Sequence, residues 1–224
     1  MQRLFAFDVY GTLIDTHGLT TLLTDVVGGH AMAFSKHWRE RQLEYSFRRA
    51  LMGQYVPFST CTAQALDQTA KSFSLHLDTT VRDNLLARYR QLPAYADVIP
   101  GLIKVQAAGH RCVAFSNGDS RSLSELLQHA GLSGYLEQII SVEQVLSFKP
   151  DPKVYQHLLN SVQLPPDKVV MVSSNPFDIL GADAVGLATA WVARSVDAVF
   201  DPWGIEPTWQ VANIEALTTC HETR

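Results

Sequence analysis

Two hydrophobic rhythms divide the chain. Residues 4–7 form a short apolar run that stops at Asp8 and a Gly11-Thr12 turn. Such a run predicts a buried strand that delivers Asp8 at its C-terminal end. From about residue 20 to 94 the period changes. Residues 30–52, 60–75 and 79–92 carry apolar positions at helical spacing, with no convincing strand between them. After Pro100-Gly101 strands and helices alternate. The pattern predicts helices over 102–108, 120–130, 152–161 and 177–185, and strands over 111–115, 138–141 and 169–172, with 188–192 as the last strand. Gly131 and Gly186 stand where two of these helices should end. This alternation predicts an α/β fold, a doubly wound parallel sheet with helices on both faces. The expected division is a core of residues 1–15 and 97–224 and a helical-bundle insertion of residues 16–96.

Composition narrows the function classes. With 224 residues, of which 46% are hydrophobic, the chain can bury a sizeable core. A net charge of −4 with 18% charged residues gives no reason to expect nucleic acid or an anionic membrane surface as partner. No apolar run approaches the roughly 18 residues needed to span a bilayer. The opening MQRLFAFDVYG reads as strand and turn, without a signal-peptide layout. Three cysteines, Cys61, Cys112 and Cys220, have no metal-site spacing, which fits a reduced cytoplasmic protein.

In a doubly wound sheet, ligands bind beyond the carboxyl ends of the strands. Four such ends are polar: Asp8 to Thr12, Ser116-Asn117-Gly118, Lys149-Pro150-Asp151, and Ser173 to Asp178. Asp8 is the candidate nucleophile, since a carboxylate can attack carbon or phosphorus and form an ester that water cleaves. Taken singly, each of these residues has a plain structural use as a turn former, a helix cap or a surface lysine. Their convergence on one rim is the informative feature. Lys149 would supply a cation that keeps nearby carboxylates ionised. Ser116 and Asn117 offer donors for an anion. Asp178 could orient Lys149 or help activate water.

Asp-x-x-Gly-Thr, Ser-Asn-Gly, Lys-Pro and a late Asp together resemble the haloacid dehalogenase superfamily over nearly the whole chain. Most members are Mg²⁺-dependent phosphatases with a second Asp two residues after the nucleophile. Here that position is Tyr10, and the late motif has one carboxylate where a hard cation wants several. The phosphatase reading therefore ranks behind metal-free ester chemistry. Phe7 to Leu13, Trp38-Arg39-Glu40-Arg41-Gln42-Leu43-Glu44-Tyr45 and Ser173-Ser174-Asn175-x-x-Asp178 are similar to signatures of the L-2-haloacid dehalogenases. That resemblance implies a hydrolase with no metal and no cofactor. Asp8 would attack C2 of a short L-2-haloacid, and water would then cleave the Asp8 ester to give a D-2-hydroxy acid. Arg39 would hold the leaving halide or the carboxylate, with Asn117 as helper. Ser116 and Lys149 would contact carboxylate oxygens. Thr12, Tyr155, Ser173, Asn175 and Asp178 would orient Asp8 and the water, and Tyr10, Leu43, Phe58 and Phe177 would form the apolar wall. A homodimer is also implied.

Two positions depart from that pattern: Glu40 where Gln is usual, and Phe177 where Trp is usual. A carboxylate at about 4 Å from an anionic substrate costs about 4 kcal/mol at an effective dielectric near 20. A substrate with a cationic nitrogen would gain instead, so an enzyme opening L-azetidine-2-carboxylate by the same ester chemistry is the alternative. A domain that kept the fold and lost activity is the non-enzyme alternative, and the completeness of the polar set argues against it.

Overall fold

The computed structural model describes residues 2–221. Among them, six strands form one sheet in the order β3-β2-β1-β4-β5-β6, with every pairing parallel. β1 (Leu4–Phe7) lies at the centre and all four of its side chains are buried. That burial on both faces is why it reads as a continuous apolar run. β2 (Arg111–Ser116) and β4 (Val169–Ser173) flank it, with Phe7 level with both Ala114 and Val172. The chain runs from β1 through β2 to β3 (Ile139–Ser141) on one side. It then returns to β4 and continues to β5 (Ala188–Val192) and β6 (Trp209–Val211) on the other. The order reverses at β1, so the crevice at its carboxyl end is the topological switch point.

Between β1 and β2 come α1 (Thr20–Val27), α2 (Ala31–Met52), α3 (Phe58–Ser72), α4 (Thr79–Tyr89) and α5 (Val98–Ala107). α2 buries Ala31, Phe34, Ser35, Trp38, Gln42 and Ser46, a single stripe at three- and four-residue spacing. It packs along α3 and ends at Gly53, whose φ of 63° is left-handed. The chain leaves and rejoins the sheet side by side. Ile14 pairs antiparallel with Ala94, Asp15 N–H donates to Pro93 O at 2.9 Å, and Tyr95 N–H donates to Leu13 O at 3.1 Å. The remaining helices are α6 (Ser120–His129), α7 (Pro152–Val162) and α8 (Pro176–Asp183).

Three details correct the sequence expectation. Ala188–Val192 is not the last strand, because β6 follows it on the edge of the sheet. β6 is three residues long with a single buried side chain, too short to leave a periodic signal. α1 lies in a stretch that was assigned no element. α5 begins at Val98 rather than after Pro100-Gly101, because proline needs no N–H in a first turn. Gly101 is a point of close approach: a Cβ there would sit 2.5 Å from Ile214 Cγ2.

Candidate functional site

Asp8 follows β1 directly, and its N–H extends the sheet ladder to Val172 O at 2.9 Å. The ladder thereby fixes the acid at the switch point. Lys149 reaches it from the segment before α7, placing Nζ 3.1 Å from Asp8 Oδ1 and 2.8 Å from Asp178 Oδ2. A third bond runs from Nζ to Phe115 O at 2.8 Å, and the ammonium lies 4.3 Å from the centre of the Phe115 ring. All three charged groups are withdrawn from solvent, with exposures of 6% for Asp8, 1% for Lys149 and 0% for Asp178. Burial of this kind is tolerable only when each charge is paired and hydrogen-bonded. Asp178 meets that condition through Lys149 and through Tyr155, whose hydroxyl donates to Oδ1 at 2.8 Å.

The other oxygen of Asp8 is held by neutral donors. Thr12 Oγ1 donates to Oδ2 at 3.0 Å, Asn175 Nδ2 at 2.8 Å and Ser173 Oγ at 3.5 Å. Thr12 Oγ1 in turn accepts from Ser174 N–H at 2.9 Å, while Ser174 Oγ donates to Gly11 O at 2.7 Å. Asn117 Oδ1 accepts from Lys149 N–H at 2.8 Å, which ties the end of β2 to the lysine segment. Ser116 Oγ, at the same strand end, accepts from Gly118 N–H at 3.2 Å.

Burial pushes Asp178 up to about 6, and the Asp8 charge adds to the rise while Lys149 and the hydrogen bonds from Lys149 and Tyr155 oppose it. Tyr155 is pushed well above its ordinary value, first by burial and then by the charge of Asp178. Tyr10 is raised, chiefly by burial.

From the helical side, Arg39 on α2 donates Nη2 to Tyr10 O at 3.2 Å and Nη1 to Gln42 Oε1 at 2.7 Å. The Tyr10 ring lies 5.8 Å from Phe58 and 5.6 Å from Tyr89. Phe177, in the first turn of α8, meets Phe47 of α2 edge-on at 5.1 Å. Leu43 is half-buried on α2. Glu40 faces outward with 60% of its side chain exposed, 3.9 Å from Lys36. Two cavities flank the cluster. One of about 60 Å³ lies among Tyr10, Phe58, Tyr89 and Gly118. The other, about 290 Å³, opens among Gly11, Arg39, Glu40, Ser174 and Asn175.

The donor set does not fit a divalent cation. The Lys149 ammonium stands between the two carboxylates that would have to ligate it, and it would repel a second positive charge. Tyr10 occupies the position of the second acid. No group of three His, Cys, Asp or Glu among the described residues could hold a metal.

A haloacid dehalogenase-like hydrolase family model matches residues 2–186. The chain belongs to that family. Among its relatives is an (S)-2-haloacid dehalogenase of Pseudomonas sp. (strain YL), 34% identical over 97% of this chain and 94% of that one. Another is (S)-2-haloacid dehalogenase 1 of Pseudomonas sp. (strain CBS-3), 40% identical over 86% of this chain and 85% of that one. The L-2-haloacid dehalogenase of Xanthobacter autotrophicus, solved with chloropropionic acid covalently bound, superposes with a TM-score of 0.91 at 29% identity, covering 98% of both chains.

Three residues with structural roles at the site escaped the sequence reading: Ser174, Gln42 and Arg194. Ser174 lies inside a motif that was read, but its link to Thr12 crosses from β4 to β1 and leaves no local pattern. Gln42 did leave one, as an uncharged polar residue one turn after Arg39 on the buried stripe of α2. Arg194 donates to Thr12 O and to Asp97 Oδ1.

Proposed function

We propose that the protein hydrolyses short L-2-haloacids to D-2-hydroxy acids through an ester on Asp8, without a metal. The observation that carries this reading is the buried Lys149 ammonium between Asp8 and Asp178. It neutralises the nucleophile's surroundings where a metal ion would otherwise be needed. The relatives named above are haloacid dehalogenases, which supports the substrate class.

Asp8 Oδ1, engaged by Lys149, attacks C2 from the face opposite the halogen. The C–O bond forms as the carbon–halogen bond breaks, and halide leaves with the bonding pair. Arg39, with Asn117 as helper, receives the halide or the substrate carboxylate, to which its planar cation is suited. Ser116 and Lys149 bind carboxylate oxygens. Tyr10, Leu43, Phe58 and Phe177 wall the site and strip water from the nucleophile. Water then adds to the Asp8 carbonyl carbon, giving up its proton to Asp178, whose raised affinity for protons suits a base. Thr12, Ser173 and Asn175 hold Oδ2, which becomes the carbonyl oxygen of the ester, and Tyr155 holds Asp178. The bond from the carbonyl carbon to Oδ1 then breaks, the departing oxygen takes the proton back from Asp178, and the new carboxyl group loses its proton to restore Asp8. The hydroxy acid leaves with an oxygen that began on Asp8, inverted once at C2.

In this reading residues 1–15 and 97–224 are the core and residues 16–96 the cap that closes over Asp8. The free thiols Cys61 and Cys112 are buried, in keeping with a cytoplasmic protein, and the side chain of Cys220 lies outside those described. Leu51 and Met52 are exposed at the end of α2 and offer apolar surface to a homodimer, which sedimentation would test. No contact favours the azetidine alternative, because the Glu40 carboxylate is turned toward Lys36.

The test is a panel of both 2-chloropropionate enantiomers, L-azetidine-2-carboxylate and a phosphate ester, each with and without Mg²⁺. Chloride and D-lactate should form from the L enantiomer alone, in the presence of chelator. Asp8→Asn should show no turnover. Hydrolysis of only the phosphate ester, and only with Mg²⁺, would remove the proposal.

A further inference from the structure

We infer that Gln42 is a positioning residue whose neutral amide holds Arg39 in place while leaving its positive charge uncompensated, which makes the site selective for anions. The inference rests on the proposed function only in taking Arg39 to face the substrate or the leaving group.

Gln42 is 1% exposed, deep between α2, α3 and α4. Its Oε1 accepts two hydrogen bonds, from Arg39 Nη1 at 2.7 Å and from Tyr89 Oη at 3.0 Å. Its Nε2 donates to Thr62 Oγ1 at 2.5 Å, and Thr62 passes its own hydrogen to Phe58 O at 3.0 Å. That order fixes which end of the amide is oxygen. A reversed amide would turn its N–H groups toward the Arg39 and Tyr89 donors. Tyr89 also stacks on Tyr10, and Tyr10 O accepts the other Arg39 terminus at 3.2 Å. The guanidinium is therefore gripped at both ends by uncharged acceptors, one on a helix and one directly after the nucleophile's strand.

A carboxylate would grip an arginine more tightly, as charge-assisted bonds do. It would also cancel the charge. The nearby acids of α2 are engaged elsewhere: Glu40 with Lys36, and Glu44 with Arg41 and Arg48. Among the described residues no carboxylate lies within ion-pair distance of Arg39. A half-buried cation with only neutral partners attracts an anion that displaces its remaining water. Immobilisation is thus separated from neutralisation, and Gln42 is where the two are separated.

The test is calorimetric titration of the full-length protein with two unreactive probes, propionate for the carboxylate and sodium bromide for the halide. Gln42→Glu keeps the size and the grip on Arg39 but adds the cancelling charge. At least one probe should bind ten-fold or more weakly, and KM for 2-chloropropionate should rise more than kcat falls. Tyr89→Phe removes one donor to Oε1 without adding charge and should weaken the same probe by a few fold. This second variant keeps the test decisive if Gln42→Glu fails to fold. Affinities for both probes within two-fold of the native protein, in a folded variant, would overturn the inference. The titrations need no turnover, so a native protein inert toward haloacids would sink the proposed function and leave this test standing.

Discussion

At the scale of single residues, the chemistry turns on two acids sharing one ammonium. Asp178 is pushed up to about 6, with burial as the largest cause and the nearby charge of Asp8 adding to it. Its neutral form is favoured below that value, so the proposed base is lost as pH falls through about 6. The acid limb should therefore appear in kcat where ester hydrolysis limits turnover, with its midpoint at or below about 6. kcat/KM should lack it, because that ratio is set by the earlier, irreversible ester formation, which does not use this base. Once Asp8 is esterified its charge is gone, and one of the causes raising Asp178 goes with it. Asp178→Asn should abolish that limb and let the ester accumulate, visible as added mass on the peptide containing Asp8. An unmodified peptide from this variant after exposure to substrate would count against Asp178 as the base. The same shift makes a stability claim. Asp178 binds more protons folded than unfolded between its ordinary value of 3.8 and about 6, so its contribution to stability declines as pH rises through that window. The polar rim itself was legible in the sequence because motif residues follow directly on apolar strands. The pairings within it were not. Lys149 and Asp8 are 141 positions apart, and no periodicity encodes a bond between them.

At the scale of elements, the helices serve the site by how closely they approach one another. Gly181 in the middle of α8 shows the constraint. A Cβ there would meet Tyr155 Oη at 2.5 Å, Tyr155 Cε2 at 2.7 Å and Pro150 Cβ at 2.8 Å. Tyr155 is fully buried in the first turn of α7 and holds Asp178 through its hydroxyl. Glycine therefore lets α8 come near enough for that bond to form. Gly181→Ala should destabilise the fold by about 1–3 kcal/mol, the usual cost of overpacking a core. It should also slow ester hydrolysis more than ester formation, since Tyr155 acts on Asp178 and not on Asp8. Urea unfolding and single-turnover kinetics measure the two effects, and equal slowing of both steps would contradict this division. The sequence reading found α7 and α8 to within about two residues but gave Gly181 no role. A glycine required by close approach looks the same in one dimension as a dispensable one, and Gly101, hard against Ile214, is a second case.

At the scale of the whole molecule, the fold places the nucleophile where ligands bind and then covers it. The central apolar strand, the helical stretch after it and the later alternation were all readable, because each is a long periodic feature. The edge strand β6 was not, because its pairing depends on contacts across the whole chain. Asp8 is 6% exposed and lines neither flanking cavity. A substrate can reach it only if the proposed cap separates from the core. Two described contacts oppose that separation from α2: the bond from Arg39 to Tyr10 O, and the edge-on pair of Phe47 with Phe177. The aromatic pair is the one that can be weakened without touching the charged site. Such a pair contributes about 0.5–1.5 kcal/mol beyond its buried area. Phe47→Ala should shift the closed form toward the open one by a comparable amount, a factor of about 2 to 13. If closure is needed to bind substrate productively, KM should rise by that factor. If product release through the open form limits the rate, kcat should hold or increase. A fall in kcat with KM unchanged would mean that Phe47 supports the chemistry directly and that closure does not govern access. Hydrogen exchange in α2 provides the independent readout, since the backbone of a helix that lifts away from the core should exchange faster in the variant.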